Sequence, residues 1–204
     1  MLVAVCSDVH NHTGRLVAFA TAARAAGAQE LWCLGDVVDA LIGAPPAAHA
    51  STVAAAVELC DVVLAGNHEL WCVQRGMLDA ATREIVEGWS PVEERHGVGL
   101  VHASLQDPFM EFVDTPVKAA RVLRETSGWL ALHGHTHTRK LWAQTDAYPG
   151  AQIRPTRGTV AAGADRLLAN PGALTGGRPS WLLVDLAART LRFLPLRVAP
   201  PVSS

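Results

Sequence analysis

The sequence contains no apolar run approaching the roughly 18 residues that a membrane-spanning helix needs. It also lacks a strong excess of charge, since the formal net charge is −2 at pH 7 and the isoelectric point is about 6.5. This balance predicts neither a membrane surface nor a broad surface for a nucleic-acid polymer. The first residues, MLVAVCSDVH, lack the basic segment of a signal peptide and favour a first β-strand.

Cysteine patterns typical of disulfide frameworks or zinc knuckles are missing as well. The four cysteines form no C-x-x-C pair, and each lies in or beside an apolar run; they are Cys6, Cys33, Cys60 and Cys72. We therefore predict four small buried side chains with free thiols. Free thiols indicate a reducing compartment, so the expected location is the cytoplasm.

Two further motifs are absent. No G-x-x-x-x-G-K-[ST] loop occurs, which argues against a P-loop for nucleoside triphosphates. Ser7 and Ser104 do not lie in a G-x-S-x-G elbow, which disfavours a serine hydrolase.

What is present indicates one globular domain. The 204 residues are 50% hydrophobic, and we expect a single domain over residues 1–198 with a flexible tail at 199–204. The first third alternates apolar strand runs with Ala-rich helical runs, which implies parallel pairing. Further helices are expected at 77–89 and 115–128. From residue 140 onward, short β runs predict a second, mixed sheet, at 140–146, 159–163, 166–172, 180–186 and 190–198.

Polar side chains follow five successive predicted strands. In such sheets, groups for chemistry gather at the carboxyl ends of the strands. Buried polar groups are costly unless they are paired or coordinated, so five such endings by chance are improbable. The side chains are Asp8, His10, Asp36, Asn67, His68, His102, His135 and His137.

Eight candidate donors exceed the four that one tetrahedral zinc takes, so they indicate two metal ions sharing a bridge. Carboxylate and imidazole together favour borderline ions such as manganese, iron, zinc or nickel over calcium. Two ions about 3.5–4 Å apart can clamp a displacement at phosphorus and lower the pKa of a bridging water. Two dications against two carboxylates and one hydroxide would leave a positive charge that attracts a phosphate.

The ordered set D-x-H, G-D, G-N-H-E, H and G-H-x-H resembles the calcineurin-like metallophosphoesterase superfamily. The resemblance covers residues 6–137, about two thirds of the chain, and includes every signature of that family. It implies two mixed β-sheets flanked by helices, in agreement with the pattern along the chain. The expected fold class is α/β with mixed α+β character, a four-layer αββα sandwich.

The resemblance also implies a role for each donor. Asp36 would bridge two divalent ions, and His68 would contact the phosphate and protonate the leaving oxygen. The other donors would hold the first ion (Asp8, His10 and His137) and the second ion (Asn67, His102 and His135).

Two segments resemble a small bacterial phosphodiesterase branch of the family, VHASLQDPFMEFV and LANPGALTGGRPSWLLVDL. This likeness implies a turn at residues 170–172 near the site. One departure is SDVHNH, where the branch usually has Gly and Asn after the histidine and this chain has Asn11 and His12.

The stretch GDVVDALIG overlaps the G-D-x-x-D-R-G motif of serine/threonine protein phosphatases, in which the second aspartate orients the catalytic histidine. Asp39 is therefore a candidate partner of His68, and a plain loop carboxylate is the alternative. The phosphate-clamping arginine of that motif is Ala40 here, which argues against a protein phosphatase. Arg139 and Arg178 are candidate replacements.

Other residues keep more than one interpretation. Glu69 suits a helix start as well as catalysis, and His12 suits the surface better than the pocket. His49 and His96 are expected on the surface. His133 precedes the G-H-x-H motif inside an apolar run and is expected to pack or to support a ligand, whereas Gly134 would let the backbone approach the metals.

Among the tryptophans, Trp32, Trp129 and Trp181 lie in apolar runs and are expected in the core. Trp71 follows G-N-H-E directly and is the best candidate to line a substrate cleft.

The predicted function is a cytoplasmic, two-metal phosphoesterase. In it a metal-bridging hydroxide attacks phosphorus in line, and His68 protonates the leaving group. A small phosphorylated substrate is expected, a phosphodiester first and a phosphomonoester second. The alternatives are an inactive scaffold that keeps the metals and a metal-binding regulator.

Overall fold

The computed structural model describes residues 1–145, 148–163 and 165–197, without the side chains of 148 and 149. The predicted tail at 199–204 lies outside the described residues. Within them, the chain forms five helices: α1 (Thr13–Ala25), α2 (Pro46–Leu59), α3 (Asn67–Gln74), α4 (Ala80–Glu87) and α5 (Pro116–Glu125).

Within the described ranges, twelve strands form two six-stranded mixed sheets. The strands are β1 (Leu2–Cys6), β2 (Glu30–Cys33), β3 (Val62–Val63), β4 (Val92–Arg95), β5 (Val98–Val101), β6 (Leu130–His133), β7 (Lys140–Thr145), β8 (Tyr148–Ile153), β9 (Thr159–Ala161), β10 (Arg166–Asn170), β11 (Ser180–Asp185) and β12 (Thr190–Pro195). Sheet one has the order β3-β2-β1-β11-β12-β9, and sheet two has the order β4-β5-β6-β10-β7-β8.

Parallel and antiparallel pairs coexist in both sheets. In sheet one, β1 runs parallel to β2 and antiparallel to β11, so that Ala4 lies opposite both Leu31 and Leu183. In sheet two, β6 lies between β5 and β10 and is parallel to both. The parallel strands β1, β2, β5 and β6 therefore all direct their carboxyl ends toward the donor residues.

Three buried clusters define the layers. Between the sheets, Val3 and Val5 of β1 pack with Leu130 and Leu132 of β6. The outer face of sheet one packs on α1 and α2, and the outer face of sheet two packs on α5. Since β1 sends Ala4 and Cys6 outward and Val3 and Val5 inward, it shows the two-residue period of a strand buried on both faces. The predicted αββα sandwich is confirmed.

The division of strands between the sheets differs from the prediction. The strands after residue 140 do not form a second sheet of their own, because β9, β11 and β12 join sheet one while β7, β8 and β10 join sheet two. Each sheet thus combines early and late strands. Two strands, β4 and β8, were not predicted.

A second difference concerns the third apolar run, DVVLAGNHE at 61–69, which was expected to form a strand ending in Asn67 and His68. The strand β3 ends at Val63, and the helix α3 begins at Asn67. The backbone N–H of Gly66 donates to Oε2 of Glu69 at 2.7 Å, which satisfies a donor at the helix start. The predicted helix at 77–89 is shorter, from Ala80 to Glu87, and Asp79 caps it through a bond from the Thr82 N–H.

The four thiols are free, with three buried and Cys60 partly buried. Among the described residues, no helix combines the length and the hydropathy needed to cross a membrane.

Candidate metal centre

The loops that follow β1, β2, β5 and β6 and the start of α3 converge on one point between the sheets. Five of the seven predicted ligands have a left-handed backbone conformation, with φ between 49° and 64°: Asp8, His10, Asp36, His135 and His137. Such a conformation is uncommon outside glycine and persists only when neighbouring structure holds it. The neighbouring loop does so here, since Asp8 N donates to Gly35 O (3.0 Å) and His10 N to Asp36 O (2.9 Å).

One set of side chains, the first donor group, surrounds the end of β1. Its potential ligand atoms lie within 4.8 Å of one another and belong to Asp8, His10, Asp36 and His137. Nε2 of His137 is 3.3 Å from Oδ1 of Asp8 and 3.1 Å from Nε2 of His10. The predicted ligands of the first ion are therefore together.

A second set, the second donor group, lies beside it. Asp36, His102 and His135 also bring their ligand atoms within 4.8 Å of one another. Asn67 joins them because its Oδ1 is 3.1 Å from Nε2 of His102. Asp36 belongs to both groups, so one carboxylate can contact two ions.

The charge and burial of these residues suit cations. Oδ2 of Asp8 is buried without a hydrogen-bond partner in the described part of the chain, and Oδ1 faces Nε2 of His137 at 3.3 Å, an arrangement that is costly unless a cation binds the carboxylate. Burial of the His102 ring opposes protonation, yet the Asp36 carboxylate outweighs it and raises the pKa of His102 to about 9. The residues present therefore fit a pair of divalent ions. Without such ions, the electrostatic potential at the site is strongly negative.

Hydrogen bonds orient the histidine rings. Nδ1 of His102 donates to Leu34 O at 2.7 Å, and Nε2 of His135 donates to Met110 O at 3.2 Å. A carbonyl only accepts, so in the neutral ring each bond fixes the tautomer and leaves a lone pair on the other ring nitrogen. That nitrogen can bind a metal.

His68 lies outside both donor groups, at the start of α3. Its Nδ1 accepts a bond from Ala40 N at 3.0 Å and lies 3.4 Å from Oδ1 of Asp39. Because Nδ1 is an acceptor, the proton of the neutral ring sits on Nε2. The ring stands edge-on to His10, with centroids 4.4 Å apart. His68 is thus placed beside the first donor group, with Oδ1 of Asp39 in position to accept a bond from Nδ1 when the ring is protonated.

The family model for the calcineurin-like phosphoesterase superfamily domain matches residues 1–188 of the 204. The chain belongs to this superfamily. Its enzymatic class is therefore phosphoric ester hydrolase. A comparison with curated protein sequences finds no significant match.

Solved structures share the fold of this phosphoesterase at low identity. A metallophosphoesterase from Sphaerobacter thermophilus is 20% identical, with a TM-score of 0.80 over 98% of this chain and 89% of that one. A hypothetical protein from Pyrococcus horikoshii OT3 is 14% identical, with a TM-score of 0.68 over 98% and 90%. An archaeal phosphodiesterase is 16% identical, with a TM-score of 0.57 over 96% and 100%.

Glu69 of this phosphoesterase connects two loops of the site. Its carboxylate accepts backbone bonds from Asp36 (2.9 Å), Val38 (2.9 Å) and Gly66 (2.7 Å). Burial raises the pKa of Glu69 to about 7, and the negative charge of Asp36 acts in the same direction. The helix-start role weighed from the sequence is present, since Glu69 lies in the first turn of α3 and accepts from Gly66 N. The sequence did not indicate the bonds from Asp36 and Val38, by which the side chain also holds the backbone around the shared donor Asp36.

Two glycines allow close approach. A Cβ on Gly66 would lie 2.2 Å from Oδ1 of Asp36 and 2.8 Å from Cε1 of His102. A Cβ on Gly134 would lie 2.0 Å from Oγ of Ser7 and 3.2 Å from Oδ2 of Asp8. Gly134 therefore makes room for a ligand-bearing loop, as its position in G-H-T-H suggested.

Asn170 supports the loop that carries His135 and His137. Its Nδ2 donates to Gly134 O at 2.6 Å, and its Oδ1 accepts from Gly172 N at 2.8 Å. The predicted turn at 170–172 near the site is thus present. His133 is buried and belongs to neither donor group, and burial lowers its pKa to about 3.

Of the three histidines expected on the surface, two are exposed and one is buried. His96 is exposed and contacts Glu30 at 2.9 Å, and His12 is exposed at the start of α1. The prediction for His49 is wrong: it is buried, because it shares the inner face of α2 with Val53, and its Nδ1 is 3.1 Å from the Asn11 side chain.

Trp71, which the sequence singled out as a cleft residue, and Arg75, which it did not, also adjoin the site. Trp71 packs 5.2 Å from the His68 ring, and Arg75 covers the Trp71 ring at 5.6 Å while donating to Ala40 O at 3.1 Å. Arg75 thus contacts the backbone where the clamp of protein phosphatases would stand; no sequence signal singled it out. The two arginines considered for that role are exposed, Arg139 and Arg178.

Of the tryptophans expected in the core, Trp32 and Trp181 are buried and Trp129 is partly buried.

Proposed function

We propose that this phosphoesterase binds two divalent ions and hydrolyses a small phosphodiester. The observation that carries the proposal is the pair of donor groups joined by Asp36. Asp8, His10 and His137 would hold the first ion, and Asn67, His102 and His135 would hold the second. Imidazole and carboxylate ligands favour manganese, iron, zinc or nickel. When bound, the ions supply a water of lowered pKa and positive charge for the phosphoryl oxygens.

The chain's own residues supply the rest. His68 acts in its protonated form: the ring donates the Nε2 proton to the leaving oxygen as the bond from that oxygen to phosphorus breaks, and a neutral imidazole remains. Oδ1 of Asp39 lies 3.4 Å from Nδ1 of His68, where it faces the second proton of that ring, and Oδ2 of Asp39 lies 3.2 Å from Nδ1 of His10. One carboxylate thus keeps the two rings in a fixed relation. The bond from the Ala40 N–H to Nδ1 belongs to the neutral ring.

A diester is preferred to a monoester for two reasons. The fold is shared with a structure described as an archaeal phosphodiesterase. In addition, Ala40 replaces the clamping arginine that the protein phosphatase motif would provide for a dianionic phosphate. A small phosphomonoester is the second candidate. A net charge of −2 gives no support for a nucleic-acid polymer. We propose a cytoplasmic location because all four thiols are free.

The test combines metal content with turnover. The chain is purified, stripped, reloaded with Mn²⁺ and assayed with bis(p-nitrophenyl) phosphate and p-nitrophenyl phosphate. We expect close to two ions per chain and faster turnover of the diester. Asp36→Ala should lower the metal content, whereas the control His96→Ala, an exposed histidine outside both donor groups, should keep it. Bound metals with no turnover of either ester would support the inactive scaffold instead.

A further inference from the structure

An exposed aromatic side chain, that of Phe112, packs against a member of the second donor group. The Phe112 ring lies against the His135 ring, with centroids 4.4 Å apart and an interplanar angle of 34°. Phe112 is 51% exposed, whereas His135 is 8% exposed. A molecule that approaches the second donor group from this side therefore meets the face of Phe112.

The segment that carries Phe112 is held in place at several points. Oδ1 of Asp107 accepts the backbone N–H of Met110 at 3.0 Å, and Met110 O accepts the His135 ring at 3.2 Å. Nζ of Lys118, from α5, donates to Phe112 O at 2.8 Å. These bonds fix the backbone on both sides of residue 111, so the ring is presented by an ordered segment.

The acidic residue of this segment is paired with side chains away from Phe112. Glu111 lies between Met110 and Phe112 in sequence, but its carboxylate binds Ser104 and Arg121. Met110 and Phe112 are 44% and 51% exposed. The surface beside His135 is therefore apolar, although an acidic residue lies in the middle of the segment.

The aromatic surface and the proposed acid are at different ends of the site. His68 contacts His10 of the first donor group (4.4 Å between centroids), and Phe112 contacts His135 of the second. The leaving oxygen must face His68 to receive its proton. The ester substituent that stays on phosphorus is then free to extend over the second donor group.

We propose that Phe112 and Met110 form a subsite for a flat aromatic group on the retained ester substituent of the phosphodiester. This inference rests on the proposed function. An aromatic group would stack on Phe112 and bury apolar surface of both side chains. A monoester has no retained substituent, so the subsite also favours a diester.

The experiment compares two diesters that share one leaving group, p-nitrophenyl phenyl phosphate and p-nitrophenyl methyl phosphate. Wild type should prefer the phenyl ester in kcat/KM by about tenfold. In Phe112→Ala the phenyl ester should lose most of that advantage, mainly through KM, while kcat/KM for the methyl ester falls much less. Phe112→Leu should lose about half as much in logarithmic terms. The control is Ile153→Ala, which removes an exposed apolar side chain on β8.

Binding of phenylphosphonate and methylphosphonate to the Mn²⁺-loaded protein, measured by calorimetry, separates the subsite from turnover. We expect tighter binding of phenylphosphonate and loss of the difference in Phe112→Ala. Equal losses for both esters, or no loss for either, would overturn the subsite, since the ring would then only support His135 or not touch the substrate. A wild type that binds phenylphosphonate preferentially but cleaves no diester would refute the proposed function, and with it the retained-ester assignment.

Discussion

The Oδ2 atom of Asp39 lies 3.2 Å from Nδ1 of His10. The other carboxylate oxygen of Asp39 lies 3.4 Å from Nδ1 of His68. One side chain thus orients a proposed metal ligand and the proposed acid.

We expect Asp39→Asn to weaken metal binding by roughly 10- to 100-fold, since partners of a metal-bound histidine commonly have effects of this size. Titration of the stripped protein with Mn²⁺ in a calorimeter measures it. Asp165→Asn, which changes a carboxylate paired with Arg154, serves as the control; unchanged affinity in Asp39→Asn would refute the coupling.

Replacement of His68 separates proton donation from metal binding. We expect His68→Ala to keep its metal content but to lose roughly 100- to 10,000-fold in kcat, a typical contribution of general acid catalysis. The loss should be smaller for p-nitrophenyl esters than for alkyl esters, because p-nitrophenolate leaves with little help from an acid. The measurement is kcat across a series of leaving groups. A uniform loss across the series would assign His68 to substrate binding.

Gly66 has no room for a side chain. Its Cβ would lie 2.2 Å from Oδ1 and 2.7 Å from the backbone N of Asp36. We expect Gly66→Ala to lower the free energy of unfolding by roughly 1–3 kcal/mol and to weaken metal binding through displacement of Asp36. Urea unfolding and metal titration provide the two readouts. Gly14→Ala is a matched control, because a Cβ there has no atom within 4 Å; since Gly14 lies in α1, the change should lower neither quantity and should raise the free energy of unfolding slightly.

The contacts of Glu30 with Arg95 and His96 make the free energy of unfolding depend on pH. Burial alone would raise the pKa of Glu30, but hydrogen bonds from Arg95, His96 and Trp32 outweigh it and lower the pKa from 4.5 to about 2. The stabilisation is therefore present above pH 4.5 and is lost as the pH falls toward 2. We expect Glu30→Gln to cost about 1 kcal/mol at pH 7.

Urea unfolding of wild type and Glu30→Gln at pH 7, 5 and 3 tests this dependence. The difference between the two proteins should shrink as the pH falls. A constant difference would mean that the charge of Glu30 contributes nothing and that the variant acts through packing alone.

The layered architecture and the donors could be predicted because local sequence carries both signals. Asp8, Asp36 and His102 each follow a short apolar run directly, and strand ends lie on a common edge of a parallel sheet. The donors also occur in a known order, so their grouping around two ions could be inferred from a family resemblance.

Strand pairing could not be predicted in the same way. The pair of β1 and β11 joins Val3 to Val184, and no local pattern specifies a partner so distant along the chain. Alternation of apolar and polar side chains predicts which face of a strand is buried, but it does not specify which strands pair with it. The division of late strands between both sheets therefore had no sequence signal.

His49, which was misplaced, and Phe112, for which no position was predicted, differ in whether the sequence contained a signal. His49 has helical spacing with Val53 and Ala56 on the buried face of α2, so the period of the helix could have revealed its burial. The position of Phe112 depends on the bonds of Asp107 and Lys118 to its segment, and these form only in the folded chain.

The mixed sheets have a consequence for synthesis on the ribosome. All donors precede residue 138, whereas β10 and β11, the partners of β6 and β1, begin at Arg166 and Ser180. Leu174 N and Thr175 N also donate to the carbonyls of Ser7 and Asp8. A nascent chain therefore exposes its complete set of donors long before it can hold them in place. We expect metal to be captured only after β10 and β11 have been synthesised, and a chain arrested before β10 should bind Mn²⁺ no more tightly than an unfolded peptide.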